Sequence, residues 1–461
     1  MLIKVFTFLY LISCICSFNG SITIPFVKRS DKLTSLINPL KEKSKNYLEC
    51  EIEIGTPKQT IKLILEFYSN CIWIIQPNFK DSIMKTDLQN EQIPFYEGKS
   101  TTFKNQTTSI NEYKQFYRLS HCSKAKEVYD IFSFGNEKVV VDNTMFFLAE
   151  KITQLPVASG IIGLEFNNIQ FSSIVSSGWI NMFKKANHIN QEVFYIDYLS
   201  DENGELIIGN NQYLSTIQQH KNYSFKNINK SHWGLVFDKI SYGDNAYSTK
   251  VQVIFKIELG VIVAPEVYYQ YIKRILFDKY ASQCNEVYVE GTDFRTFTCN
   301  NMIQNQITKD FHNISFELND NFTTILTSED LFSINKKDGS LIFNVYFYIQ
   351  GRKVNDNEWL IGEPFFKKNL VIFDKEKRGI GLYAKPNLQF HSLHKISIQP
   401  NYQSNLTFTR MIILMMITIL LIIIIIIIKG NSKLNNKKES NSKGKNPLHT
   451  NNHKNESLTD I

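Results

Sequence analysis

Residues 47–75 read YLECEIEIGTPKQTIKLILEFYSNCIWII. Leu48, Cys50, Ile52 and Ile54 alternate with Glu49, Glu51 and Glu53, the period-2 pattern of a half-buried strand. Gly55-Thr56-Pro57 is turn chemistry, and Ile61, Leu63 and Leu65 then resume the alternation. A β-hairpin is expected here. Short apolar runs of the same kind recur downstream, at Phe194-Tyr195-Ile196, Gly204 to Gly209, Val253-Ile254-Phe255, Val371-Ile372-Phe373 and Gly379 to Leu382. The expected fold class is all-β.

The chain has 461 residues, long enough for two lobes and further segments. A hydrophobic content of 43% with 13% aromatics fits a packed protein rather than a disordered one. The net charge of +7 is diffuse and sits partly in the C-terminal tail, so nothing points to nucleic acid. Residues 1–20 carry Lys4, an apolar run and small residues, and read as a signal peptide. Residues 411–428 are uncharged and almost wholly aliphatic, about 27 Å of helix at 1.5 Å per residue, the reach of a short membrane span. Lysines 429, 433, 437, 438, 443, 445 and 454 follow, which places the tail 429–461 in the cytoplasm and makes 387–410 a stalk. The expectation is a single-pass type I membrane protein, monomeric, with its ectodomain at the cell surface or in an endomembrane lumen.

That compartment is oxidising. Cys284 and Cys299 close a short loop and are expected to pair; among Cys50, Cys71 and Cys122, Cys71–Cys122 is the preferred bridge. Sequons begin at Asn105, Asn222, Asn229, Asn313, Asn321 and Asn405, in keeping with a glycoprotein. There is no metal-ligand spacing, no Gly-rich phosphate loop and no residue pattern that calls for a cofactor. His121 and His232 stand isolated.

The hairpin resembles the opening of a pepsin-like aspartic protease. That family writes an IGTP-x-Q turn, an apolar strand, Asp-Thr-Gly-Ser, and Trp seven places after the Asp. Here Gly55-Thr56-Pro57-Lys58-Gln59 matches the turn and Trp73 the tryptophan, so the catalytic loop reads Glu66-Phe67-Tyr68-Ser69. Further landmarks follow in the family's order. Tyr117 fits the flap tyrosine, Asp130 the Asp beyond it, and Ser159-Gly160-Ile161-Ile162-Gly163-Leu164 the Asp-Gly-Ile-Leu-Gly-Leu segment. Trp233-Gly234-Leu235 resembles the opening of the second lobe, and Trp359-Leu360-Ile361-Gly362-Glu363-Pro364-Phe365-Phe366 its closing strands. The resemblance implies a bilobal pepsin-like acid protease fold, with lobes at 47–215 and 216–386 and a C-terminal transmembrane helix. It also makes basic residues 21–46 either a short prosegment or a surface linker.

The same resemblance implies a dyad of aspartates sharing one proton and a water, because like charges about 3 Å apart cannot both ionise. Several requirements of that dyad are broken here. Glu66 adds a methylene, and a misplacement of about 1 Å costs on the order of 100-fold. Phe67 removes a hydroxyl, and Tyr68 fills the place of a glycine. Counting nine back from Pro265 puts Lys256 at the second Asp; a shifted alignment would put Glu258-Leu259-Gly260 there instead. With Lys256 in that place, an ion pair with Glu66 is expected, structural rather than catalytic. Tyr117, Tyr68 and Ser69 are the candidate substrate-binding residues; for Ser69, hydrogen bonding within its loop is read in preference to a nucleophilic role. The reading is a catalytically impaired, membrane-anchored aspartic peptidase homologue that binds a peptide or protein in its interlobe cleft. The alternatives are an active endopeptidase using Glu66 with Glu258, and a surface glycoprotein that uses the fold as a scaffold.

Overall fold

A computed structural model describes residues 20–29, 40–41, 45–77, 94–111, 122–135, 139–152, 158–166, 178–209, 224–228, 232–319, 322–335, 337–349 and 358–385. The side chains of 106–111, 122–124, 150–152, 224, 247–248 and 301 are outside that description. The expected signal peptide before Gly20, the expected flap residue Tyr117, His121, and the expected stalk, membrane span and tail beyond Lys385 all lie outside the described residues. Among the described residues no helix is long and apolar enough to cross a membrane.

The described residues fold mostly as β-structure in two large sheets, one of thirteen strands and one of eleven. The expected hairpin forms as written: Tyr47–Ile54 pairs antiparallel with Gln59–Glu66, with Leu48 opposite Leu65 and Ile54 opposite Gln59. Leu48, Cys50, Ile52 and Ile54 are all buried, as the alternation requires. Gln59–Glu66 continues parallel to Gly160–Gly163, and that strand pairs antiparallel with Ile72–Ile75.

Ser21–Arg29, within the basic 21–46 stretch, is a strand inside the first sheet. It lies antiparallel between Asn203–Gly209 and Tyr47–Ile54. Ile22, Ile24 and Phe26 are buried on one face of it, and Phe26 meets Tyr198 edge-on at 5.7 Å. Lys28 forms an ion pair with Glu363, which also pairs with Lys367 at 2.6 Å.

The second sheet is built from Gly234–Tyr242, Asn245–Phe255, Glu358–Ile361, Ile262–Ala264 and their neighbours. Asn245–Phe255 runs parallel to Glu358–Ile361, the counterpart of the parallel pair in the first sheet. The closing hairpin of Asn369–Asp374 and Gly379–Ala384 returns to the first sheet, where Asn369–Asp374 pairs with Val193–Tyr198, so that sheet is continuous between the halves of the chain. A core rich in aromatic rings runs through both, and Cys284–Cys299 is a disulfide joining neighbouring strands. The proposed Cys71–Cys122 bridge falls on a Cys122 side chain outside the described residues; Cys71 and Cys50 are buried.

Candidate functional site

The site lies where the two parallel strand pairs end. Glu66 is the last residue of its strand and stands opposite Gly163. In the second sheet Phe255 stands opposite Ile361, and the Lys256 N–H donates to the Ile361 carbonyl at 2.9 Å. Lys256 is therefore level with Gly362 as Glu66 is level with Gly163. Both glycines are crowded by the loop that follows: a Cβ on Gly163 would overlap Ser69, and one on Gly362 would overlap Leu259 and the Val261 carbonyl. Ser69 and Leu259 are each three places past Glu66 and Lys256. The backbone thus puts Glu66 and Lys256, rather than Glu66 and Glu258, at matching points of the two lobes.

The side chains sort differently. Glu66 is fully buried, and neither carboxyl oxygen has a hydrogen-bond partner. Burial, with the Glu258 carboxylate next in weight, pushes its pKa well above the ordinary range against the pull of Lys256. The expected Glu66–Lys256 ion pair is not formed. Lys256 Nζ donates instead to the Phe67 carbonyl at 2.8 Å and lies 3.4 Å from Glu165 Oε2 and 3.7 Å from Glu258 Oε1. A lysine stem reaches past Glu66 to two carboxylates, where its charge is better compensated than by one neutral acid. The ammonium also sits 4.6 Å above the Tyr68 ring.

Glu258 Oε2 accepts the Phe67 N–H at 3.2 Å, and the Glu258 carbonyl accepts from the Asn46 N–H at 2.9 Å. Fully buried Asn46 also donates from its side chain to the Tyr198 hydroxyl and the Ile257 carbonyl, so it braces the 256–260 loop from below. Phe67 is buried, its ring edge-on to Phe373 at 5.0 Å and to Phe194 at 6.1 Å. Ser69 Oγ donates within its own loop, to the Cys71 carbonyl at 3.4 Å.

Two residues of the cluster escaped the sequence reading. Glu165 is buried and accepts from the Phe166 and Trp233 N–H groups through Oε1. His232, taken as isolated, places Nδ1 2.8 Å from Glu165 Oε2. These contacts span 67 residues, so no local spacing announces them; the one signal was an acid directly after Gly163-Leu164.

A family model described as eukaryotic aspartyl protease matches residues 46–385. The chain belongs to the eukaryotic aspartyl protease family. No curated protein matches it significantly. In this family member the two loop ends approach as two strand-terminal turns, but the facing groups are an enclosed Glu66 pushed towards its neutral form and a charge-paired Lys256. Among the described residues no group of three His, Cys, Asp or Glu is placed to hold a metal. Chemically, the cluster can hold one proton on Glu66 and a compensated ammonium on Lys256. A pair of facing carboxyls with a water between them would need Lys256 out of the way.

Proposed function

We propose that this aspartyl protease family member is catalytically impaired and uses its interlobe cleft to hold a peptide or protein, anchored in a membrane by residues 411–428 with the cleft on the lumenal or extracellular side. The observation that carries the impairment is the Lys256 ammonium, tied to Glu165, Glu258 and the Phe67 carbonyl, at the place we assign to the second catalytic residue. A general base must reach its proton directly or through one water, and Glu66, enclosed and without a partner, has no such path. The cleft-binding half rests on the family membership and on the family's use of that groove for extended peptides.

The rival reading, an enzyme using Glu66 with Glu258, has one observation in its favour: the two carboxyls interact, and Glu66 is the one driven to hold a proton. One assay separates the two. The full-length chain is incubated with a mixed peptide library from pH 3 to 7, beside Glu66→Gln and beside a transition-state-mimicking inhibitor of aspartic proteases. The expected result is no cleavage above that of Glu66→Gln. Cleavage abolished both by the substitution and by the inhibitor would establish the Glu66–Glu258 enzyme.

A further inference from the structure

Both backbone polar groups of Phe67, in the first lobe, are held by side chains of the second. Lys256 Nζ donates to its carbonyl at 2.8 Å and Glu258 Oε2 accepts its N–H at 3.2 Å. Glu165, also in the first lobe, receives three donors from the second: the Trp233 N–H at 3.1 Å, His232 Nδ1 at 2.8 Å and Lys256 Nζ at 3.4 Å. The Trp233 indole adds a bond to the Leu164 carbonyl at 2.8 Å. Phe67 and Ile257, each one place past Glu66 or Lys256, carry no hydroxyl with which to bond across. The interlobe polar contacts at this point therefore converge on Lys256, Glu258 and Glu165, all nearly inaccessible to water.

We propose that Lys256, Glu258 and Glu165 form a charge latch between the lobes, closed at neutral pH and released by acid. This goes beyond the proposed function and stands whether or not the cleft holds a peptide. A buried ammonium is tolerated while carboxylates compensate it, and removing its partners leaves a desolvated charge. Without the negative charge of the two carboxylates, Lys256 keeps only the Phe67 carbonyl and the face of Tyr68. The other ionisable groups facing the latch do not rescue it. Glu66 already favours its neutral form. Glu358, half-buried, interacts with His232 and Lys256, but burial pushes it towards its neutral form. His232 stands beside Glu165 and Lys375 adds a cation near it, so neither supplies negative charge to Lys256. Acid thus turns a cluster with an excess of carboxylate into one with an excess of cation, and the lobes are pushed apart at Phe67.

Amide hydrogen exchange on the full-length chain at pH 7 and pH 4, corrected for intrinsic exchange, reads the latch directly. Protection of peptides spanning 67–69 and 256–260 is expected to fall about tenfold at pH 4, the factor equivalent to one unit of pKa coupling. The Tyr47–Ile54 strand is expected to stay protected and controls for global unfolding. Lys256→Met should reverse the response. With three carboxyl groups and no ammonium, these peptides become better protected at pH 4 than at pH 7. Glu258→Gln keeps the shape and an acceptor for the Phe67 N–H but cannot titrate, and its pH response should shrink. Equal protection of the native chain at both pH values overturns the latch, as does a native-like response in Lys256→Met. Should Lys256→Met fail to fold, an undiminished response in Glu258→Gln overturns it equally.

Discussion

Glu66 is the residue at which packing and chemistry disagree most. Its carboxyl is enclosed without a partner and its pKa is raised, first by burial and then by Glu258. The sign follows from linkage. An acid held above its unfolded value of about 4.3 contributes stability that is fully present below that value and is lost as pH rises through the folded pKa. Glu66 should therefore make the protein less stable on going from pH 4 towards neutrality. Glu66→Gln should flatten that slope and raise Tm at pH 7 by a few degrees, about 1 kcal/mol in a large domain, as calorimetry across pH would show. Glu363 is the opposite case. Burial opposes its ionisation, but Lys28 and Lys367 outweigh burial and hold its pKa low, so its contribution is present above about pH 4.3 and lost as pH falls through the folded value. Lys28→Met should then cost roughly 1–2 kcal/mol at pH 7 and almost nothing at pH 3, measured by urea unfolding. From the sequence, the identities of Glu66 and Lys256 were legible by counting from Trp73 and Pro265. Their partners were not, because Glu165 and His232 meet them through the fold and not through spacing.

Among the elements, those with strict alternation and a turn signal were readable in advance. Tyr47–Ile54 with Gln59–Glu66, and Asn369–Asp374 with Gly379–Ala384, are hairpins whose side-chain period forces one face inward. Ser21–Arg29 was read by its charge as a prosegment or linker, although Ile22, Ile24 and Phe26 already carried the period-2 pattern. Its lysine and arginine drew attention because they stand at its end, where they pair with Glu363 and Glu49. The buried face gives the strand a measurable weight. Phe26→Ala, which removes a ring at 2% exposure, should cost about 3–5 kcal/mol by denaturant unfolding. The Cys284–Cys299 bridge closes a loop of sequence separation 15, and its reduction should cost about 3 kcal/mol on the loop-entropy estimate, detectable as a lower Tm in reductant.

At the scale of the whole molecule, two lobes in the family's order were visible in the sequence, while the manner of their contact was not. That contact binds chemistry to packing. Restoring the family's loops with Glu66→Asp, Phe67→Thr, Tyr68→Gly and Lys256→Asp together would empty the space Phe67 fills against Phe194 and Phe373. A loss of about 3–5 kcal/mol from Phe67→Thr alone is expected, so the combined variant should unfold earlier before it gains turnover, as thermal unfolding beside a cleavage assay would reveal. The sheet order also sets a timetable for synthesis. Tyr47–Ile54 covers one edge of Ser21–Arg29 early, but Ser21 pairs with Gly209, so the other edge finds its partner only after nearly the whole first lobe has been made. At about 5–20 residues per second that interval is roughly 10–40 s. Val193–Tyr198 waits in turn for Asn369–Asp374. Until then the apolar edge of Ser21–Arg29 is open, and a nascent chain of this protein is a client for whatever chaperone meets it first.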